Sequence, residues 1–219
     1  MNKVFLDTDY QHFFEKNGFL LINKQIINDE LLSEFCAIRN LLNSEKIDRI
    51  QKDFFVGLEH PDKQKVEQIN FEINNRIAPI LNDFIIDYSP FLSSFISKQP
   101  NKDADVFPHQ DWSFTDDENL NYAITCWIPL QDTTVDNGCM GLIKGSHLFF
   151  NNIRFSPPVA THPSPMSKHK SWILPYFQWL PMVAGSILFF DYRIFHASLP
   201  NISNSERLAI GCWLVHKKF

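Results

Sequence analysis

The second part of the chain consists of short strand-like segments separated by turn residues, and this pattern limits the fold more than any other feature. After Tyr88, apolar and β-branched runs alternate with Gly, Pro, Asn and Asp. The runs are FLSSFIS, VFPHQDWSF, YAITCWIPL, CMGLI, GSILFFDYRIF and RLAIGCWLVH. Many short strands that follow helical segments are typical of an antiparallel sandwich or barrel backed by helices.

The first third of the chain is predicted to be helical with one strand. The segment DTDYQHFFEKNGFLLI begins with capping residues from Asp7, continues as a short helix to Gly18, and ends in the strand FLLI. A second helix is expected after Asn28 as N-cap, and a third begins near Asp62, with Pro79 expected to end or bend it. The apolar stripe of the second helix consists of Leu31, Leu32, Phe35, Ile38, Leu41 and Leu42. We expect these helices to cover a sheet.

The composition is that of one globular domain without a nucleic-acid partner. Of the 219 residues 44% are apolar, so a single large core is expected over 1–219, with helical support in 1–87 and a barrel in 88–219. The 20 basic and 25 acidic residues give a net charge of -5, and no run of Lys or Arg could neutralise a series of phosphates.

The sequence also predicts a cytoplasmic protein with no membrane partner. Its start lacks the order of a signal peptide, and no apolar run is long enough to span a bilayer. The four cysteines form no C-x-x-C pair and are expected to be buried free thiols rather than disulfides or zinc ligands. These residues are Cys36, Cys126, Cys139 and Cys212. The oligomeric state stays open.

A histidine and an aspartate two positions apart form a candidate metal site. In an extended strand His109 and Asp111 point to the same face, while Gln110 points away. A hydrogen-bonded pair on a loop would explain them equally well on their own. His196, at the end of an apolar strand expected in the same sheet, supplies a third ligand. Two imidazoles and one carboxylate leave three of six positions open, which suits non-haem Fe(II) and its oxygen chemistry.

Three segments in a fixed order resemble a known family. HQDWSF, DNGCMGLIKGSH and FFDYRIFHASLPNISNSERLAI resemble the signature segments of the phytanoyl-CoA dioxygenase family of Fe(II)- and 2-oxoglutarate-dependent oxygenases. The resemblance extends from about Phe95 to the C-terminus and includes FFEKNGFLLI. It implies an α+β, mainly β fold, the double-stranded β-helix or cupin-like jelly-roll barrel. It also implies Fe(II) held by His109, Asp111 and His196, with 2-oxoglutarate as cosubstrate and O2 as oxidant.

The resemblance further implies a site for the far carboxylate of 2-oxoglutarate. Arg207 follows His196 by 11 residues and Ser198 follows it by two, which are the family's positions for this role. A planar guanidinium can bind a carboxylate through two parallel hydrogen bonds. Trp127 and Thr125, on one face of AITCWIPL, are assigned to the cosubstrate as well.

The strand that carries Arg207 has two different faces. Arg207 shares one face with Ala209 and Gly211, whose small side chains leave room for a ligand. The opposite face is apolar and is expected to pack on the helices; it consists of Leu208, Ile210, Cys212 and Leu214.

The reaction implied is hydroxylation of a C–H bond of a small-molecule metabolite, with formation of succinate and CO2. The presence of Asp111 favours hydroxylation over halogenation, because some halogenating relatives have a small residue there. A cupin-like metal hydrolase or isomerase is an alternative, but it would not need Arg207 and Ser198. A non-catalytic barrel that binds a ligand is a third possibility.

The substrate side is less defined. Trp112, Phe114, Phe177 and Trp179 either line a substrate pocket or serve core packing. No basic cluster suits a CoA phosphate, which favours a small polar metabolite over an acyl-CoA. The Pro-rich segment from about 149 to 181 is predicted to be an irregular lid on the substrate side, the alternative being passive covering of the barrel.

The remaining histidines carry less signal. His147 in KGSH is expected to fix the turn after Gly145, and it is left out of the site. His162 and His169 lie in the Pro-rich segment without a spacing that predicts a second metal site.

Overall fold

The computed structural model describes residues 3–40, 54–100, 105–111, 113, 123–149 and 170–218. Its helices are α1 (Thr8–Asn17), α2 (Asp29–Asn40), α3 (Lys63–Leu81) and α4 (Lys170–Ile173), with 3₁₀ turns at Gly57–Glu59, Ser146–Leu148 and Leu174–Tyr176. Its strands are β1 (Phe19–Ile22), β2 (Phe54–Val56), β3 (Tyr88–Lys98), β4 (Val106–His109), β5 (Ala123–Pro129), β6 (Met140–Leu142), β7 (Gln178–Leu180), β8 (Ile187–Asp191), β9 (His196–Ser198) and β10 (Arg207–His216).

The strands form two antiparallel sheets. The large sheet has the order β1-β8-β5-β10-β3-β2, and the small sheet has the order β4-β9-β6-β7. Apart from β6 and β7, which pair in the small sheet, successive strands from β3 to β10 alternate between the two sheets, as in a jelly roll. The predicted double-stranded β-helix is therefore confirmed.

One face of the large sheet packs against the N-terminal helices. The buried stripe of α3 repeats every four residues, which places Ile69, Ile73 and Ile77 on one side of the helix. This stripe belongs to the same core as the predicted apolar face of β10, namely Leu208, Ile210, Cys212 and Leu214. Burial of each such aliphatic side chain contributes about 1.5–3 kcal/mol. The prediction of a helix-covered face is confirmed.

The other face of the large sheet points between the two sheets. A second, smaller core lies there and includes Trp127, Leu188 and Phe190 from the large sheet and Leu142 from the small one. Ala209 belongs to this core, so β10 presents opposite faces to the two cores, as its alternation predicts.

The N-terminal third matches its prediction in most respects. Asp7 caps α1 by accepting hydrogen bonds from the amides of residues 9 and 10, and Gly18 ends the helix in the left-handed conformation at φ 79°. Asp62 caps α3 in the same way. That helix runs two residues past Pro79 to Leu81, since a proline in the last turn removes little of the helical bonding.

Several features differ from prediction or fall outside the described ranges. The short β2 was not predicted, and it pairs with β3 at the edge of the large sheet. Cys36 is exposed on α2, so the prediction of a buried thiol is wrong there, whereas the other three cysteines are buried and all four are free. Leu41 and Leu42 lie outside the described residues.

The described end of the Pro-rich segment is more regular than predicted. Residues 170–180 contain α4, a 3₁₀ turn and β7, and β7 pairs with β6 in the small sheet. The prediction of an irregular segment is therefore wrong for this part, while residues 150–169 are not described. Over the described ranges, no helix combines the length and apolar content needed to cross a bilayer.

Candidate metal and cosubstrate site

Two histidines lie opposite each other on neighbouring strands of the small sheet. His109 of β4 pairs in register with His196 of β9, and their ring centroids are 4.1 Å apart. The apolar run before His196 is not one continuous strand. The chain leaves the large sheet at Asp191, turns through a hydrogen bond from the amide of Ile194 to the carbonyl of Asp191, and enters the small sheet at His196. This turn brings His196 beside His109.

The third candidate ligand follows the strand rather than lying within it. β4 ends at His109, and the amide of Asp111 donates a hydrogen bond of 2.9 Å to the carbonyl oxygen of Tyr192. The Asp111 carboxylate thereby reaches His196, with Oδ1 at 3.6 Å from Nε2. One ligand atom from each of the three residues lies within 4.8 Å of the others. The three side chains are close enough to bind one ion.

Hydrogen bonds to the backbone orient both imidazoles. Nδ1 of His109 lies 2.8 Å from the carbonyl oxygen of Phe107, and Nδ1 of His196 lies 3.1 Å from that of Ile194. A carbonyl accepts only from a protonated nitrogen, so Nε2 of each ring carries the lone pair. Desolvation and the nearby His196 lower the pKa of His109 to about 4, which keeps this ring neutral at pH 7. Neutral imidazoles of this tautomer are competent metal ligands.

Arg207 is a buried cation with unused hydrogen-bonding capacity. Its side chain is 2% exposed, and its Nε and Nη1 have no hydrogen-bond partner in the described part of the chain. Desolvation lowers the pKa of Arg207 to about 10, so the guanidinium remains charged at neutral pH. It lies over the ring of Trp127, with Cζ 5.5 Å from the ring centroid. A buried charge without a carboxylate partner costs several kcal/mol, which points to an anionic ligand.

Sequence reasoning missed a second buried cation at this site. Lys98 of β3 is directly opposite Arg207 in the large sheet and is fully buried. Its Nζ donates hydrogen bonds of 2.6 Å to Oγ of Ser198 and to the carbonyl oxygen of Leu199. Lys98 thus joins the predicted pair Arg207 and Ser198. Its burial was not predicted, because a lysine at the end of a strand is usually exposed.

Thr125 lies at the site but contacts a metal ligand. Its hydroxyl donates a hydrogen bond of 2.6 Å to Oδ2 of Asp111. The assignment of Thr125 to 2-oxoglutarate stays a prediction, and the structure adds a contact between Thr125 and the metal triad.

The two described residues of the predicted aromatic pocket, Phe177 and Trp179, do not lie beside the triad. Trp179 pairs with Gly141, and its ring fills the place that a Cβ of Gly141 would take, at 2.3 Å. Gly141 points away from the inner core that holds Leu142, so Trp179 lies on the outer face of the small sheet. Phe177 stacks on Trp179 at 5.5 Å and shares that face. Trp112 and Phe114 lie outside the described residues.

The side chain between these two aromatic residues has the opposite orientation. Gln178 pairs with Leu142, which pairs with His196, which pairs with His109. These four residues therefore form one row across the inner face of the small sheet. Gln178 is exposed at the end of this row, two strands away from His196, and sequence reasoning overlooked it as a polar side chain on the face of the triad.

His147 has the structural role expected of it. It is buried, and Nε2 lies 3.0 Å from the carbonyl oxygen of Glu15 in α1. A Cβ at Gly18 would lie 2.4 Å from Nδ1, so this close approach of α1 requires glycine. His162 and His169 fall outside the described residues.

Known proteins share this sequence and architecture. The family model "Phytanoyl-CoA dioxygenase (PhyH)" matches residues 14–209. A phytanoyl-CoA dioxygenase of Arabidopsis thaliana is 25% identical over 260 residues, covering 96% of this chain and 89% of that protein. The epimerase SnoN, solved with Fe3+, alpha ketoglutarate and nogalamycin RO, has a TM-score of 0.64 at 19% identity and covers 95% of this chain and 82% of its own. HygX from Streptomyces hygroscopicus was solved with nickel, 2-oxoglutarate and hygromycin B. It has a TM-score of 0.67 at 14% identity, and the match covers 98% of this chain and 89% of HygX.

A jelly-roll barrel with a His–Asp–His set on its small sheet defines the structural class of the mononuclear non-haem metal proteins. Within that class the chain belongs to the phytanoyl-CoA dioxygenase (PhyH) family, since the family model matches most of its length. The resemblance inferred from three sequence segments is confirmed. The predicted iron and 2-oxoglutarate agree with the groups bound in the solved relatives and with the triad of this chain.

Proposed function

We propose that this protein is an Fe(II)- and 2-oxoglutarate-dependent oxygenase that hydroxylates a C–H bond of a small-molecule metabolite. The observation that carries this proposal is the combination of the triad with a buried guanidinium at Arg207, whose Nε and Nη1 have no hydrogen-bond partner among the described residues. His196 and Ser198 are two residues apart on one strand face, roughly 7 Å. A five-carbon keto diacid can bridge that distance between the metal and the anion site.

Each residue of the site has a proposed role. His109, Asp111 and His196 would hold the iron, while Arg207, Ser198 and Lys98 would bind the far carboxylate of 2-oxoglutarate. Trp127 would pack beside the cosubstrate, because its ring already lies against Arg207. With iron and cosubstrate bound, the site supplies oxidative decarboxylation of the keto acid by O2 to succinate and CO2, coupled to oxidation of the substrate. The inner core borders this region with apolar side chains.

Hydroxylation, as the type of oxidation that the substrate undergoes, is the more specific part of the proposal. SnoN is described as an epimerase, so the fold accommodates more than one oxidative result. Asp111 occupies the carboxylate position of the triad, which supports hydroxylation over halogenation. A metal hydrolase or isomerase would leave Arg207 without a ligand, and a binding protein would form no succinate.

The proposal predicts ordered binding of metal and cosubstrate. Anaerobic addition of 2-oxoglutarate to the Fe(II)-loaded protein is expected to produce a weak visible charge-transfer band, with succinate formed once O2 is admitted. Zn(II)-loaded protein is the control, and it should bind 2-oxoglutarate without the band. Absence of both the band and calorimetric binding of 2-oxoglutarate would overturn the oxygenase assignment.

We further propose that Gln178 contacts the primary substrate. It lies on the inner row with the histidines, remains exposed, and carries an amide that both donates and accepts hydrogen bonds. A neutral amide suits a polar metabolite, and SnoN and HygX were likewise solved with small molecules bound. Gln178 lies near the end of the segment 149–181, for which we propose a lid on the substrate side. Free cysteines throughout fit the cytoplasmic location that we propose.

The role of Gln178 can be tested once a metabolite screen for succinate formation has found the substrate. Gln178→Leu is expected to raise the KM for that substrate about 3- to 10-fold, the effect of losing one neutral hydrogen bond. The KM for 2-oxoglutarate should stay unchanged. Gln68→Leu on the exposed side of α3 is the matched control, expected to alter neither constant. Equal changes in both constants for Gln178→Leu would contradict the proposal.

A further inference from the structure

Thr125 connects the two sheets at the metal site. It lies in the middle of β5 in the large sheet and is 3% exposed, whereas Asp111 follows β4 of the small sheet. Its hydroxyl donates to Oδ2 of Asp111 at 2.6 Å. Because β8 and β10 flank β5 on both sides, the position of the hydroxyl is fixed by the central strands of the large sheet.

The two carboxylate oxygens of Asp111 have different surroundings. Oδ2 accepts from Thr125, while Oδ1 faces His196 at 3.6 Å from Nε2. The backbone of Asp111 is also held, through its amide bond to the carbonyl of Tyr192. The carboxylate therefore presents Oδ1 to the other ligands and turns Oδ2 toward the wall of the barrel.

We propose that Thr125 is a positioning residue that keeps Asp111 a monodentate metal ligand through Oδ1. An octahedral ion has six positions, of which the triad takes three and a chelating keto acid takes two. If Oδ2 also bound the metal, no position would remain for O2. A hydroxyl that engages Oδ2 prevents this, in the way that outer hydrogen bonds orient ligands at other metal sites. The role of Thr125 in turnover rests on the proposed function. The test of this role measures metal binding alone and does not require turnover.

The test uses Mn(II) alone, without 2-oxoglutarate or O2, and measures the relaxation of solvent protons. The wild-type protein is expected to hold Mn(II) with roughly three exchangeable waters. Thr125→Val has nearly the same shape but cannot donate. It is expected to retain roughly two waters and to bind Mn(II) about 10-fold more weakly, the lower end of the effect of removing an outer-shell partner. Thr125→Ser restores the donor and is expected to restore both values.

Two further variants separate this role from a structural one. Thr133→Val removes a hydroxyl that is equally buried but has no hydrogen-bond partner in the described ranges, and it should leave Mn(II) hydration unchanged. Thr125→Ala tests the same loss of the donor if the valine variant does not fold. Unchanged Mn(II) hydration in the folded Thr125 variants, or failure of serine to restore it, overturns the proposal. Failure of the wild type to bind Mn(II) overturns both this proposal and the proposed function.

Discussion

Replacement of Asp111 with alanine is expected to reduce both Fe(II) retention and succinate formation by at least about 100-fold, the upper end of what outer-shell changes alone cost. The change removes the carboxylate of the triad and leaves only the two imidazoles. Asp111 is half-buried, so the apo-variant should still fold, with a modestly lower melting temperature because the buried hydroxyl of Thr125 loses its acceptor. Anaerobic equilibrium dialysis of Fe(II) and a succinate assay measure the two effects.

Asp83→Ala provides the matched control for Asp111→Ala. Asp83 is an exposed carboxylate just beyond α3, and its loss should leave iron binding and turnover unaltered. Undiminished turnover in the Asp111 variant would mean that another carboxylate is the ligand.

Replacement of Arg207 with methionine is expected to raise the dissociation constant of 2-oxoglutarate by at least about 100-fold, since breaking a buried ion pair costs about 3–5 kcal/mol. Methionine approximates the length of the arginine without its charge or donors. The melting temperature of the apo-variant should be unchanged or higher, because a buried charge with unpaired nitrogens is removed. Calorimetric titration of 2-oxoglutarate into the metal-loaded variant measures the first effect, and thermal unfolding measures the second.

The stability measurement distinguishes a ligand-binding arginine from a structural one. If Arg207 had only a structural role, its replacement would lower the melting temperature of the apo-protein and would change the affinity for 2-oxoglutarate little. Arg76→Met removes a cation that pairs with Glu34 and Glu72 on the helices, and it should leave 2-oxoglutarate binding intact. In the wild type, saturating 2-oxoglutarate should raise the melting temperature, because a ligand that binds only the folded state stabilises it. In Arg207→Met this rise should be lost.

The sequence was most informative where a pattern is local. Alternation along β10 predicted that Leu208 and Ile210 face the helices while Arg207 and Ala209 face inward, and both cores agree. The helix ends at Asp7 and Gly18 were predicted equally well, because capping depends on a few adjacent residues. The family was identified from ordered segments whose spacing does not depend on the rest of the chain.

The sequence was misleading where a strand begins or ends. The run GSILFFDYRIF reads as one apolar strand, yet β8 ends within it at Asp191, and the next strand, β9, begins in the other sheet at His196. β4 likewise ends at His109, so Asp111 reaches the other ligands through a turn held by Tyr192 rather than through strand alternation. Cys36 was misplaced because its helix is covered on one side only. Local apolar content does not reveal which sheet a residue joins.

What the sequence by itself determined is the set of chemical groups: His109, Asp111, His196 and Arg207, with the strands and helices that carry them. The tertiary structure alone decided their partners. Lys98 lies beside Arg207 through the register of β3 and β10 within the large sheet, and Thr125 lies against Asp111 through the packing of the two sheets. Strand alternation fixes which residues share a face, but register between strands distant in sequence depends on the packing of both sheets and their turns. That packing is a property of the whole chain, so no short segment encodes it.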